Sequence, residues 1–463
     1  MDNLASQASG NDPDLPIEND SPGEGQEKVT DKRAPHPVDK ADRILTVDMV
    51  RGFAVLGILL MNIPFFGIDG SVIDTVIRGS HKTADFRTMA AIFTFFDGTM
   101  RGLFSMLFGA GMILFMLNKV ETPGGVTVVE YYYRRLLWLV FFGLINAFIF
   151  LWPGDILFYY GLCGMLLYPF RKTRAKWLIV IGIGFLSIGV FKMMLWYNET
   201  KTTRAGYLVA VTAEKAKIKL TEKQKEAKAS WEEIEKNQRP DTSRVNRNLR
   251  KMHSGYGTIF NYFVPRNANF ETWGMYHGIW DMIGMMFIGM GLFTLGFFSN
   301  RLSTSTYAMW LLAGYGLGIP IGYIYFSKGI VGSIDFGPYL DAYSVPHWVL
   351  YDLRRLFLCI GHASLLLLVY RSRIVPWLMK ILASVGQMAF TNYLMQSIIC
   401  TLFFYGYGSD NYNKLKYHQL YYVVGAVWIF QMIFSPLWLK YFRFGPFEWV
   451  WRSLTYGRKQ LRN

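Results

Sequence analysis

Polar and ionisable residues interrupt otherwise apolar stretches at several points along this chain, and these are the places where chemistry can sit. Asp48, Arg51 and Asn62 fall within RILTVDMVRGFAVLGILLMNIPFFG, residues 43–67. Asp48 and Arg51 are one helical turn apart, and Arg51 and Asn62 are about three turns apart, so all three share one stripe of a helix. Asp97 and Arg101 interrupt AAIFTFFDGTMRGLFSMLFGAGMILFML and are spaced to pair along a helix. His277 and Asp281, in TWGMYHGIWDMIGMM, are also one turn apart. An imidazole held by a carboxylate, which fixes its tautomer and stabilises its charged form, is what a general base needs. His81 and His347 are rival candidates for that role. Asp352, Arg354 and Arg355 stand together in a further apolar run. There Asp352 is spaced to pair with Arg355, leaving the other guanidinium for an anionic group. In GQMAFTNYLMQS, Gln387 and Thr391 are four apart, as are Asn392 and Gln396; such groups also tie neighbouring membrane helices.

The elements that carry these residues are long apolar runs. A helix needs about 20 residues to cross the ~30 Å hydrocarbon layer, and runs of that order recur along the chain. The expected fold is all-α, a polytopic bundle of about ten transmembrane helices. The expected spans are 45–67, 90–118, 134–151, 155–170, 176–197, 276–298, 306–326, 346–370, 378–404 and 418–440. The regions are then an acidic disordered tail (1–42), a first membrane half (43–197), a charged helical extracytoplasmic insertion (198–273), a second membrane half (274–440) and an amphipathic cytoplasmic tail (441–463). Within the insertion, 213–236 is rich in Ala, Glu and Lys and reads as helix. Gly314, Gly318 and Gly322 form a stripe that lets two helix backbones approach closely. Glu448 and Arg452 are spaced to pair. With the amino terminus inside, the inner loops hold 17 Lys and Arg and the short outer loops 6, so both termini are expected in the cytoplasm. Asn62, Asp97 and Arg101 then share the outer half of the bundle and are expected to meet in one polar pocket.

Composition limits the rest. The chain has 463 residues, 52% hydrophobic, with a formal charge of +15. The basic residues cluster in short loops between spans, so the charge reads as membrane topology and not as a nucleic-acid surface. The three cysteines, Cys163, Cys359 and Cys400, fall in apolar runs and read as core residues, not a disulfide framework. No Gly-rich phosphate loop followed by Lys-Ser/Thr is present, nor a zinc-spaced Cys/His cluster, nor a nucleophile elbow, which argues against an ATP-driven pump and against a metal site.

Several ordered motifs resemble the YeiB family of bacterial inner-membrane proteins: DMVRGFAVLGILLMNI (48–63), FFDGTMRGLFSMLFGAGM (95–112), GDILFYYGLCG (154–164), MIGMMFIGMGLFTLGF (282–297), GQMAFTNYLMQSIICTLFFYGYG (386–408) and SPLWLKYFRFGPFEWVWRSLTYG (435–457). More distantly, the first span is similar to the first core span of transmembrane acyltransferases, including heparan-alpha-glucosaminide N-acetyltransferase. The shared features are an Asp-x-x-Arg-Gly start and a later Asn, here Asp48, Arg51, Gly52 and Asn62. In those enzymes the catalytic His follows soon after the Asn; here the next is His81, nineteen residues on.

That resemblance implies an acyl group taken from cytoplasmic acyl-CoA and placed on an extracytoplasmic sugar or lipid-linked acceptor. Arg51 and the inner basic groups would receive the CoA phosphates, Asn62 would orient the acyl carbonyl or the acceptor, and His277 or His81 would act as base. The expected partners are the bilayer, acyl-CoA, an envelope glycan or lipid acceptor and a second copy of the chain. The competing expectation is a transporter for an anionic solute, with Asp97, Arg101, Arg354 and Arg355 lining its path.

Overall fold

The computed structural model describes residues 44–117, 127–238 and 242–457. The acidic tail and the last six residues of the basic carboxy-terminal segment lie outside the described residues. The described chain is all-α. The helices in order are α1 Leu45–Gly67, α2 Gly70–Arg78, α3 Ala84–Phe95, α4 Thr99–Leu117, α5 Val128–Phe148 and α6 Leu157–Leu167. Then come α7 Ala175–Lys215, α8 Glu222–Gln238, α9 Thr242–Met252, α10 Tyr256–Asn269, α11 Met275–Thr294 and α12 Thr304–Ile334. The chain closes with α13 Phe336–Ala342, α14 Leu350–Ser372, α15 Pro376–Gln387, α16 Ala389–Phe404, α17 Leu420–Tyr441 and α18 Pro446–Tyr456.

By length and composition, six helical stretches among the described residues can cross a membrane: α1, Ala84–Met116, α7, α12, His347–Ser372 and Tyr417–Tyr441. Two shorter apolar helices, Leu157–Phe170 and Ala389–Phe404, accompany them. Two of the ten expected spans are interrupted. The second breaks between α3 and α4, where Gly98 takes φ +67°. A side chain at Gly98 would also meet the Tyr351 hydroxyl. The ninth, 378–404, breaks at Met388, between α15 and α16.

The insertion also differs from expectation. Span five and the start of the insertion are one helix, α7, of 41 residues. At 1.5 Å per residue it is about 60 Å long, twice what a membrane needs. The expected helix 213–236 is broken by a turn in which Lys217 takes φ +57°; α8 begins at Glu222 and packs back along α7. Tyr197, Trp231, Phe336, Tyr339 and Leu340 form a small separate core that ties this hairpin to α13. Arg204 lies over the Trp231 ring at 4.7 Å and pairs with Asp341 at 3.3 Å.

The bundle is held by close helix crossings. Gly314, Gly318 and Gly322 are buried on α12 and face α14: a Cβ on Gly314 would lie 2.7 Å from the Gly361 backbone, and one on Gly318 would lie 2.9 Å from Leu358. Helices α1 and α15 meet just as tightly, Gly52 against the Leu382 carbonyl and Gly386 against the Asp48 carbonyl. Gly314→Ala is therefore expected to cost about 1–3 kcal/mol, because a backbone must move to admit the methyl group. Thermal melting of the purified variant checks this, and an unchanged melting temperature would mean the crossing is looser than described.

Candidate functional site

A cavity of about 210 Å³ opens among the start of α1, the ends of α4 and α15, the starts of α5 and α16, and α18. Most of its wall is apolar: Phe104, Leu107, Phe108, Phe115, Leu136 and Phe390 contribute. These residues come from apolar faces of α4, α5 and α16. Among the polar residues on the wall are Asp48, Arg51, Arg135, Gln387, Glu448 and Arg452. Arg51 donates to Asp48 at 2.6 Å. Arg135 has its guanidinium 4.3 Å from the Trp451 ring centroid and 5.5 Å from that of Phe115. Trp451 is held in place by its indole N–H, which donates to the Arg135 carbonyl at 2.9 Å. Arg135 has no carboxylate partner among the described residues; an arginine on an apolar wall with only ring contacts presents its charge to whatever enters.

The expected Glu448–Arg452 pair is replaced by a cap. The Glu448 carboxylate accepts from the backbone N–H groups of Phe390 (2.8 Å) and Thr391 (3.0 Å) and from the Thr391 hydroxyl. These are the first, otherwise unsatisfied amides of α16, and a carboxylate is favoured there. Arg452 lies instead over the Phe444 ring at 4.4 Å.

A second cavity of about 540 Å³ adjoins the first, sharing Ile44 and Leu114. Arg171, Lys172, Arg174 and Arg301 line it. None of these four cations has a carboxylate partner among the described residues. The pair of cavities is thus an apolar slot beside a basic cleft.

The other intramembrane charges form a closed network. Asp97 and Arg101 do not pair, because the break at Gly98 removes the helical register between them. Arg101 donates to Asp281 on α11 at 2.7 Å, and Arg355 on α14 donates to the same oxygen at 2.5 Å. Arg355 also donates to Asp352 at 2.9 Å. Arg354, fully buried, donates to the Phe93 carbonyl at 2.6 Å and to the Asp97 carboxylate at 3.1 Å. Each charged group of this cluster therefore has its counter-charge inside the bundle. Tyr160 joins the network to the first cavity: it lines the wall, shares a 2.8 Å hydrogen bond with Ser105 and donates to the Arg101 carbonyl at 3.2 Å.

The expected His277–Asp281 pair is not formed. The Asp281 carboxylate faces the two arginines, while His277 is exposed and its ring lies edge-on to Tyr276 at 5.1 Å. His81 is exposed and stacks on Phe86 at 4.0 Å. His347 shares a 2.9 Å hydrogen bond with the Tyr339 hydroxyl. Asn62 is partly buried, lines neither cavity and makes no side-chain hydrogen bond among the described residues, so it shares no pocket with Asp97 and Arg101. Asn392 and Gln396 tie helices. Asn392 donates to Ser435 at 3.0 Å, Gln396 donates to the Val55 carbonyl and to Gln431, both at 3.1 Å, and Gln431 donates back to the Asn392 carbonyl at 2.7 Å. Sequence reading passed over Arg135, Trp451 and Tyr160. In the sequence Arg135 and the 171–174 cluster count only as basic residues of inner loops, and nothing local marks Trp451 or Tyr160.

The family model described as "Protein of unknown function (DUF418)" matches residues 292–458, from the end of α11 through α18. The chain is 29% identical over 424 residues to "Uncharacterized protein YxaH" of Bacillus subtilis (strain 168), covering 90% of this chain and 94% of that protein. It is 29% identical over 425 residues to "Uncharacterized protein YeiB" of Escherichia coli (strain K12), covering 89% and 96%. An "Uncharacterized 39.9 kDa protein in amylase 3'region" of Bacillus acidopullulyticus is 26% identical over 426 residues, covering 91% and 96%. No solved structure matches. The chain is thus similar over most of its length to YxaH and YeiB, carries a match to the DUF418 model in its carboxy-terminal third, and has several helices apolar enough to cross a membrane.

Proposed function

We propose that the paired cavities bind a phosphate-bearing acyl amphiphile from the cytoplasmic side, and that the protein is an acyltransferase of the bacterial inner membrane with acyl-CoA as donor. The observation that carries this reading is Arg135, a cation without a carboxylate partner among the described residues, set in an apolar slot beside four more such cations. An acyl chain suits the slot and phosphates suit the guanidinium groups, which bind them in bidentate fashion. In this reading Arg51 and Arg135 hold phosphate at the mouth, and the 171–174 cluster with Arg301 holds the nucleotide end. The acceptor, an extracytoplasmic sugar or lipid-linked hydroxyl or amine, attacks the thioester carbonyl carbon. The carbon–sulfur bond breaks, and CoA leaves as its thiol with the proton removed from the acceptor. The polar route from Tyr160 through Arg101 to Asp281 leads towards the outer end of α11, where exposed His277 stands one turn, about 6 Å, beyond Asp281. His277 and His81 are the candidate bases; Asp281, held by Arg101 and Arg355, positions neither.

The competing transport reading has less support, because the arginines that would line an anion path are already neutralised by Asp97, Asp281 and Asp352. The test is thermal melting of the purified protein with long-chain acyl-CoA, free CoA or phosphatidylglycerol. Long-chain acyl-CoA at a hundredfold excess over its Kd is expected to stabilise by about 2.7 kcal/mol, free CoA by less. Equal or greater stabilisation by phosphatidylglycerol would make this a lipid site, and CoA-independent solute uptake into vesicles would favour the transporter.

Both termini are assigned to the cytoplasm in this reading. A reporter active only in the cytoplasm, fused after Asn463, is expected to give signal, as is one active only outside when placed near Gln224. The reverse pattern would put the cavities on the outer face and remove cytoplasmic acyl-CoA as their ligand.

A further inference from the structure

At the other end of α5 lies a cluster of polar groups that the proposed binding site does not use. Phe263, Asn267 and Glu271 follow at four-residue intervals on one buried face, the last in a π-helical turn, Phe270–Gly274. π-Helical turns are rare and concentrate at functional positions. Glu271 is 4% exposed, and neither of its carboxylate oxygens has a hydrogen-bond partner. The charged group that bears on it is another carboxylate, Asp155, itself fully buried.

Asp155 is well supplied with donors. It accepts from the Asn146 amide at 2.8 Å, from the Phe158 N–H at the start of α6 at 2.9 Å and from the Tyr393 hydroxyl at 3.4 Å. Glu271 has none. The side-chain oxygens of Asn146 and Asn267, which can only accept, are also buried without partners. Asn267 spends its amide on the Ala147 carbonyl. Both carboxylates bear on Tyr159 and Tyr393. Tyr159 donates to the Phe270 carbonyl at 2.5 Å. Arg101 bears on Tyr159 and is already paired with Asp281.

Two buried carboxylates that share one site do not both ionise, because the like charges repel and neither is solvated. The one without donors is the one that keeps its proton. A protonated Glu271 gains an O–H, and the cluster gains the donor that its unpartnered acceptors lack.

We infer that Glu271, buried without a donor and within the field of Asp155, is a proton-binding site that keeps its proton at neutral pH. The site lies behind the wall of the first cavity, which Tyr393 also lines while donating to Asp155. Its existence does not depend on what that cavity binds.

Infrared spectroscopy of the purified full chain, titrated in pH, tests this without reference to activity. A carboxylic-acid carbonyl band is expected at neutral pH. It is expected to vanish in Glu271→Gln, to shift in Asp155→Asn and to decay only well above the ~4.3 of a free glutamate. Glu271→Gln, an uncharged isostere of the protonated acid, is expected to melt close to the wild type at neutral pH. Three results would overturn the inference: absence of the acid band from the wild type at neutral pH, its persistence unchanged in Glu271→Gln, or its removal at fixed pH by sodium, potassium or calcium ions. The last would make this a cation site. If Glu271→Gln does not fold, the wild-type titration and Asp155→Asn still decide.

Discussion

Arg355→Met is expected to leave little folded protein. The Arg355 side chain is 1% exposed and bonds both Asp281 and Asp352. Removing one partner from a buried ion pair costs about 3–5 kcal/mol, since the charge left behind has neither water nor a counter-ion. Here two carboxylates are left, only one of them still served, by Arg101. Against a typical total stability of about 5–15 kcal/mol the loss is large. The cause is the stranded charge, not the lost side-chain volume. The double variant Arg355→Met with Asp352→Asn, which keeps the Arg101–Asp281 pair, is therefore expected to recover most of the folded fraction. Size-exclusion profiles and melting curves of both variants check this. A single variant that folds normally but loses ligand-dependent activity would mean that Arg355 serves a substrate and not the bundle.

What could be read from the sequence divides along short and long range. The all-α bundle followed from the length of the apolar runs, and a close crossing on α12, though not its partner α14, from the spacing of Gly314, Gly318 and Gly322. Asp48–Arg51 and Asp352–Arg355 pair because three residues within an unbroken helix fix their geometry. Asp97 and Arg101 looked equally local, but the positive φ at Gly98 ends one helix and begins another between them. His277 and Asp281 share a helix, yet the carboxylate turns to Arg101 and Arg355, 180 and 74 residues away in sequence. Two guanidinium groups in a dry interior hold the carboxylate more strongly than one imidazole at the edge of the bundle. Glu448 likewise turns from Arg452 to the first amides of α16. The paired cavities were hidden for the same reason. Arg135, Trp451 and Tyr160 lie on three helices far apart in sequence, and nothing local marks them as neighbours.

Gly111→Trp is expected to abolish acyl-CoA binding in a protein that still folds. Gly111 lines the first cavity, and the only atom within 4 Å of a Cβ placed there is an Arg51 guanidinium nitrogen, at 3.9 Å. The new ring therefore enters the slot without striking a backbone. Replacing a helical glycine also recovers up to about 1 kcal/mol of helix propensity, so the ligand-free protein is expected to melt no lower than the wild type. Arg135→Gln keeps the slot open but removes the charge, and is expected to weaken acyl-CoA binding about tenfold or more, the equivalent of one lost charged hydrogen bond. The decisive measurement is the shift in melting temperature that a long-chain acyl-CoA produces in the wild type and in Gly111→Trp, side by side. The account predicts a clear rise in the wild type and none in the variant, with both starting from similar ligand-free values. An equal rise in the two proteins, or none in the wild type, would contradict it.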